Sequence, residues 1–435
     1  MTTAQDSIRT TAIARMASLA GAGTRVGLNY LKHYGSRALA RNPSEADLHE
    51  RNASEVYRTF SELKGGPLKL AQMLSIDQNL LPAAYARLFS QAQHSAPPLS
   101  YPLVARTFRR EFGHDPTEMF DTFSREALHG ASIGQVHKAT KNGRPLAVKI
   151  QYPGVATSLR SDLRFVKPIA LQVLGLRESD IAEYFHEVES KLLEETDYVR
   201  ERERSQELAA ACAHIPGLHF PRFYPELCSP RILTMDWVEG ITLDRFADGS
   251  ASQDERDNVG QALWDFYDHQ VHRLLRFHAD PHPGNFIIRD GEVWVLDFGC
   301  TKEISPKFHR KMFRFVDPAI IDDRQALEAA LHDFALFLPT DKAADKERVI
   351  SSVRKWLALL ARPFHSGTFD FGGESFLRDI YEMGDQNRRD DILRTMTGQR
   401  GSADTIYVNR TFFGLYSLLS RLRARVRIPQ PVTSY

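Results

Sequence analysis

Cysteine is scarce in this 435-residue sequence: Cys212, Cys228 and Cys300 are the three, and no two of them form a C-x-x-C pair. A disulfide framework and a cysteine-rich zinc site are thereby excluded, and a reducing compartment fits better. Long hydrophobic runs are missing as well. The nearest, Thr411 to Leu419, is about half of what a helix needs to cross a bilayer. Nor is there an excess of either charge: 56 Lys and Arg stand against 55 Asp and Glu, a net charge of +1. General nucleic-acid binders carry a basic excess, so nucleic acid is not an expected partner. What remains is an ordinary soluble composition, 42% hydrophobic and 26% charged, in a chain long enough for two or three packed lobes.

Residues 1–41 hold six basic residues against one acid and are rich in Ser, Thr and Ala. Ile13, Met16, Ala20, Gly27, Leu31 and Tyr34 form an apolar stripe flanked by Arg and Lys. Such a helix suits either an anionic membrane surface or packing on the protein's own body, and the composition also suits an organelle transit segment. A cytoplasmic protein with peripheral membrane attachment is the expectation.

Residues 42–123 repeat apolar positions at helical spacing and form a helical extension. The period then changes. In "GASIGQVHKATKNGRPLAVKIQYP" two β-rich runs flank Asn142-Gly143, a strong hairpin signal that places Lys149 on the second strand. A long charged helix is expected from about Asp180 to His214, with Ile181, Tyr184, Phe185, Val188 and Leu192 on one face. "PRILTMDWVEGITLDRF" follows as strand, connector and helix start, and the rest is mostly helical. The domains so marked are 1–41, 42–123, 124–240 and 241–435.

"FHADPHPGNFIIRDGEVWVLDFGCT", Phe277 to Thr301, concentrates polar groups in what is otherwise a strand pair. In a kinase-type phosphoryl-transfer site one Asp addresses the acceptor hydroxyl, an Asn five residues on holds magnesium, and the Asp of D-F-G holds the magnesium that bridges phosphates. Asp280, Asn285 and Asp297 stand in that order, and a hairpin turning at Asp290-Gly291 returns Asp297 toward Asn285. Magnesium favours hard oxygen ligands, so one carboxylate, one amide oxygen and nucleotide phosphates suffice. His278, Asp280 and His282 read as a transition-metal cluster would lack a second His-rich segment and leave D-F-G without a role. The two His are better taken as shaping the loop.

Upstream, Lys149 in "LAVKI" has the phase of the lysine that holds the α- and β-phosphates of ATP. The glycine-rich loop's place is taken by "HGASIGQV", in which Gly130, Ala131, Ser132, Gly134 and Val136 are candidate nucleotide contacts, although His129 and Ala131 stand where a standard kinase has glycines. Asp236 and Val238, at the end of the "ILTMDWV" strand, complete that set. A glutamate must pair with Lys149, and spacing leaves Glu194, Glu195, Glu201, Glu203 and Glu207 open.

Taken together, "LKGGPLKLAQMLS", "GASIGQVHKA", "EETDYVRERER" and "HADPHPGNF" with "LDFG" resemble the UbiB/AarF-type atypical kinases, the family that supports ubiquinone and related prenyl-lipid pathways. The resemblance runs from about Glu45 to past Glu303. It implies an α+β, bilobal protein-kinase-like fold whose helical amino-terminal extension covers the active-site mouth. It also implies an ATPase or small-molecule kinase using ATP and Mg2+, with a prenyl lipid or quinone precursor and lipid-biosynthesis proteins as partners. By the same resemblance Glu201 is the partner of Lys149, while Lys69, Gln72, Glu195 and Asp197 form the family-specific mouth. Ala71 replaces the glycine of the K-x-G-Q motif, a departure that bears on helix packing, while the altered loop bears on nucleotide selectivity and self-phosphorylation. Aminoglycoside- and choline-type kinases share the H-x-D-x-H-x-x-N run but lack the K-x-G-Q and A-S-I-G-Q-V-H blocks. A nucleotide-binding scaffold without catalysis would have no need of metal ligands and an acceptor carboxylate together.

Overall fold

The structure, a computed structural model, describes residues 12–38, 44–68, 83–90, 98–130, 133–174, 186, 189–190, 192–389 and 401–429. These residues divide into two compact units, the first formed by Met1–Arg204 with Arg222–Trp237, the second by Ser205–Pro221 with Val238–Tyr435. The expected segments 42–123 and 124–240 therefore share the first unit, except that Ser205–Pro221 and residues 238–240 belong to the second.

In the first unit, helices α1 (Ala12–Ala38), α2 (Glu45–Leu63), α3 (Ala83–Ser90) and α4 (Tyr101–Phe112) precede the sheet. Strand β1 (Thr122–Phe123) already occupies the end of the segment expected to be helical. Strands β2 (His129–Gly130), β3 (Gly134–Lys141) and β4 (Arg144–Gln151) lead into helix α5 (Val155–Leu174). Helix α6 (Tyr198–Cys212) then crosses into the second unit, whose first strand is β5 (Leu218–His219), before β6 (Ile232–Asp236) returns to the first. The sheet order is β1-β3-β4-β6, with β2 also on β3.

Asn142 and Gly143 both take positive φ, 52° and 71°, the backbone a two-residue hairpin turn requires. In the resulting register Lys149 faces Val136 on one side and Leu233 on the other. Central β4 is covered on both faces. Leu146, Val148 and Ile150 pack with Val104, Phe108 and Phe120, while Ala147 on the opposite face joins Tyr198, Leu233 and Met235.

Two expectations are corrected. The helix drawn from 180 to 214 is interrupted at Thr196–Asp197, where the Asp197 carboxylate accepts the Arg200 N–H and a new helix begins. Leu192 is buried as expected, whereas Ile181, Tyr184, Phe185 and Val188 lie outside the described residues. On α1 the buried stripe is Arg15, Leu19, Ala22 and Val26, while Ala20 and Leu31 of the expected stripe are exposed. The reason is Arg15. Its guanidinium grips Asp162 of α5 through Nε at 2.8 Å and Nη2 at 2.6 Å, and Nη1 donates to the Leu63 carbonyl at 2.7 Å. That ion pair sets the rotation of the helix and docks it on its own unit.

In the second unit, strands β7 (Ile241–Thr242), β9 (Phe286–Arg289) and β10 (Glu292–Val295) join β5 in the order β5-β10-β9-β7. Strand β8 (Arg276–His278) pairs separately with β11 (Thr301–Glu303), and β12 (Thr368–Asp370) with β13 (Arg425–Arg427). The helices are α7 (Gln253–His269), α8 (Pro306–Phe313), α9 (Arg324–Asp333), α10 (Ala343–Leu360), α11 (Glu374–Arg389) and α12 (Ala403–Leu422), with shorter turns between them. Val259, Leu263 and Trp264 of α7 meet Phe286 and Val293 of the hairpin and Leu415 and Leu419 of α12 in the main core.

Candidate active site

Lys149 and Glu201 form one cluster of candidate residues, within the first unit. Lys149 Nζ donates to Glu201 Oε1 at 2.7 Å, and both side chains are buried. The Lys149 ammonium also lies 5.1 Å from the centre of the Tyr198 ring, within cation–π range. Glu201 is presented by the first turn of α6, where its N–H donates to the Asp197 carbonyl at 2.9 Å. Gly134 is needed where β3 passes this corner, because a Cβ there would stand 2.6 Å from the Ile150 carbonyl oxygen and 2.7 Å from the Tyr198 hydroxyl.

The other proposed contacts of this unit differ in standing. Gly130 pairs with Gln135, and Val136 with Lys149 and His129. The Asp236 carboxylate is spent on the protein itself, accepting the Arg222 N–H at 2.9 Å and the Tyr224 hydroxyl at 2.6 Å. Glu195 is buried and Asp197 exposed, Asp197 serving as the cap of α6. Lys69, Gln72, Ala131 and Ser132 lie outside the described residues.

Asp280, Asn285 and Asp297 form a second cluster, within the second unit, where Val238 is also found, half-buried. Two strand pairs bring the three together. The β9–β10 hairpin turns at Asp290 and Gly291, at φ 54° and 78°, and pairs Phe286 with Val295. The β8–β11 pair sets His278 opposite Thr301, and the Ala279 N–H donates to the Cys300 carbonyl at 2.8 Å. Residues 279–285 and 296–300 are thus tied at both ends, and the Leu296 N–H donates to the Asn285 carbonyl at 2.9 Å.

Within the loop, Asn285 Nδ2 donates to the Asp280 carbonyl at 2.9 Å, which leaves the amide oxygen as the ligand-type end of that side chain. Asp297 Oδ1 accepts the Gly299 N–H at 2.7 Å. One carboxylate and one amide oxygen therefore stand just beyond the paired ends of adjoining strands β9 and β10, a donor set of the hardness magnesium takes.

Asp280 has a partner that the local sequence does not announce. Arg410 of α12, 130 residues away, donates through Nη2 to Asp280 Oδ1 at 2.8 Å. The two histidines shape the loop, as expected. His278 is buried, its Nδ1 3.2 Å from the Tyr267 hydroxyl, and its backbone N–H donates to Gln270 Oε1. His282 Nδ1 accepts the Gly284 N–H. Tyr267 is pushed well above its ordinary pKa by burial and by the nearby Asp280 charge, so its hydroxyl stays protonated. Gln270 reaches His278 from a π-turn, Gln270–Leu274, that ends α7. Among the described residues no group of three or more His, Cys, Asp or Glu side chains is placed to hold a metal.

A lysine on a sheet strand held by a helix glutamate, followed along the chain by an Asp, an Asn and a D-F-G Asp in the loops that flank paired strands, defines a kinase-like protein of the phosphoryl-transfer class. Comparison with known proteins agrees. The model of the ABC1 atypical kinase-like domain matches residues 91–331, and the chain belongs to that family, the UbiB family. It is similar to rat atypical kinase COQ8B, mitochondrial, at 30% identity over 85% of this chain and 71% of that protein. To baker's yeast atypical kinase COQ8, mitochondrial, it is 25% identical over 97% and 84%. Among solved structures, the Rv3197–erythromycin complex from Mycobacterium tuberculosis matches with a TM-score of 0.58 and 25% identity, over 88% of this chain and 95% of that one. The fold is the kinase-like α+β fold, and the family makes the chain an ATP-using phosphotransferase or ATPase.

Proposed function

We propose that the protein turns over Mg-ATP in support of ubiquinone or another prenyl-lipid pathway. The observation that carries this is the placement of Asn285 and Asp297 just beyond the paired ends of one hairpin, where the Leu296 N–H donates to the Asn285 carbonyl, with an Asp280 held by its own arginine in the same loop. Magnesium, when bound, would neutralise phosphate charge. Asn285 and Asp297 are the residues that would hold it. Lys149, kept charged-pair ready by Glu201, binds the α- and β-phosphates. Asp280 orients the acceptor hydroxyl or water and takes its proton, while Arg410 fixes the carboxylate that does so. The pathway assignment draws on relatives named COQ8.

Asp297→Asn tests the metal assignment. An amide brings no charge to offset a divalent ion, so stabilisation by Mg-ATP in a thermal melt should vanish while the melt without ligand stays within about 1 °C of wild type. Stabilisation equal to wild type would remove Asp297 from the metal site.

Attachment to an anionic membrane surface is the second part of the proposal. Leu28 and Leu31 of α1 are 49% and 70% exposed, with Lys32 beside them, and among the described residues no helix is long and apolar enough to cross a membrane.

A further inference from the structure

The second unit holds a half-open pocket of about 180 Å³, away from the residues assigned above, between α8, α9, α10 and α12. Its walls are aromatic and aliphatic, with Phe313, Phe334, Trp356 and Phe412 among them, and no lining residue carries a formal charge. An apolar cavity of about 150 Å³ is enough to take benzene. One wall is different. Thr405 and Asn409, a single turn apart on α12, both face the space. The Thr405 hydroxyl is buried and has no hydrogen-bond partner among the described residues. A buried hydroxyl without a partner is destabilising, and a guest that can hydrogen-bond removes that penalty.

The opposite side of α12 is committed to the catalytic loop. Arg410 pairs with Asp280 there. Gly414 lies so close to Pro281 that a Cβ would stand 2.1 Å from the Pro281 ring. A helix seated that tightly cannot shift on its cavity side without moving its contacts on the other.

We propose that this cavity binds a neutral single-ring alcohol, its ring against the phenylalanines and its hydroxyl on Thr405 and Asn409, and that α12 transmits occupancy to Asp280. Neutrality follows from the uncharged walls, ring size from the volume, and the single hydroxyl from the one polar strip. The link to turnover rests on the phosphoryl-transfer function; the binding does not.

The test uses the full chain with benzyl alcohol and, as a probe without a hydroxyl, ethylbenzene. Affinities are measured by ligand-observed NMR titration for wild type, Thr405→Val and Val353→Phe, the last placing a ring in the cavity from α10. Wild type should bind the alcohol about fivefold more tightly than the hydrocarbon, and Thr405→Val should reduce that ratio to about one. Val353→Phe, folded by its melting curve, should lose about tenfold in affinity for both. Equal wild-type affinities, or undiminished binding to Val353→Phe, would overturn the site. Benzyl alcohol should also change ATP turnover at least about twofold in wild type and not in Val353→Phe. Turnover that stays constant while binding is saturated would overturn the link through α12. Because the binding ratios need no turnover, failure of the site and failure of the enzymatic assignment give different results.

Discussion

Lys149 and Glu201 show how much one buried pair asks of its surroundings. Both side chains are almost completely removed from water, and a charge left alone there is far more costly than the pair is stabilising. Either Lys149→Ala or Glu201→Ala should therefore destabilise the first unit by about 3–5 kcal/mol, and the double variant by less than the sum. Chemical denaturation of the four proteins measures the coupling, and a coupling near zero would break the pair. Lys64 offers a second buried cation. Burial draws its ammonium down to about 8 from 10.5, and the charge rests 4.2 Å from the Tyr152 ring centre. Because the folded state releases this proton first, the unfolded chain binds more protons between pH 8 and 10.5. Stability from this group therefore rises with pH across that window. Lys64→Met should stabilise the protein by on the order of 3 kcal/mol at neutral pH, an advantage that shrinks as pH climbs toward 10.5. Melts of both proteins across that range decide it; an advantage independent of pH would show that Lys64 acts through packing alone.

At the scale of elements, α1 is held by one buried ion pair as well as by its apolar stripe. Arg15 satisfies Asp162 and two carbonyls at the end of α2, those of Leu63 and Lys64, and Ser158 adds a hydrogen bond to the same carboxylate. Asp162→Ala strands the guanidinium and should cost about 3–5 kcal/mol. Arg15→Lys should recover only part of the binding of α1, since an ammonium cannot make the fork. Protease cleavage near the start of α1, followed in time, reports its release, and cleavage rates equal to wild type in both variants would remove the ion pair from this role. The hairpins were legible because Asn142-Gly143 and Asp290-Gly291 carry their own backbone instructions. The three-residue strands β8 and β11 were not, because a run so short has no period to detect and exists only where its partner lies beside it.

For the whole molecule, the exposed face of α1 with Leu28 and Leu31 is the surface to test against membranes. The protein should float with anionic vesicles at low salt and progressively less as salt rises, each nearby cation contributing about 1 kcal/mol. Leu28→Asp with Leu31→Asp should abolish flotation at any salt while leaving the melting temperature unchanged, because neither side chain is in the core. Flotation equal to wild type in that variant would exclude this face. Two of the four arginines of 421–427 are engaged locally: Arg421 pairs with Asp248, and Arg425 with Asp370.

The sequence by itself determined the chemistry and its order along the chain. Lys149, Asp280, Asn285 and Asp297 could be singled out as candidates because each belongs to a short motif whose spacing is imposed by a single turn or hairpin. Those constraints act over a few residues and are written where they act. Tertiary structure decided the rest. No local pattern in "VNRTFFGLYS" points from Arg410 to Asp280, and Gln270 is known as the support of His278 only once α7 ends in its π-turn. The face of α1 was ambiguous for a related reason: a helix of Ala, Gly and scattered Leu offers more than one apolar stripe of similar quality. A buried arginine 147 residues from its aspartate chose between them, since the penalty for leaving either charge unpaired in the interior exceeds what the competing stripe could recover by burial.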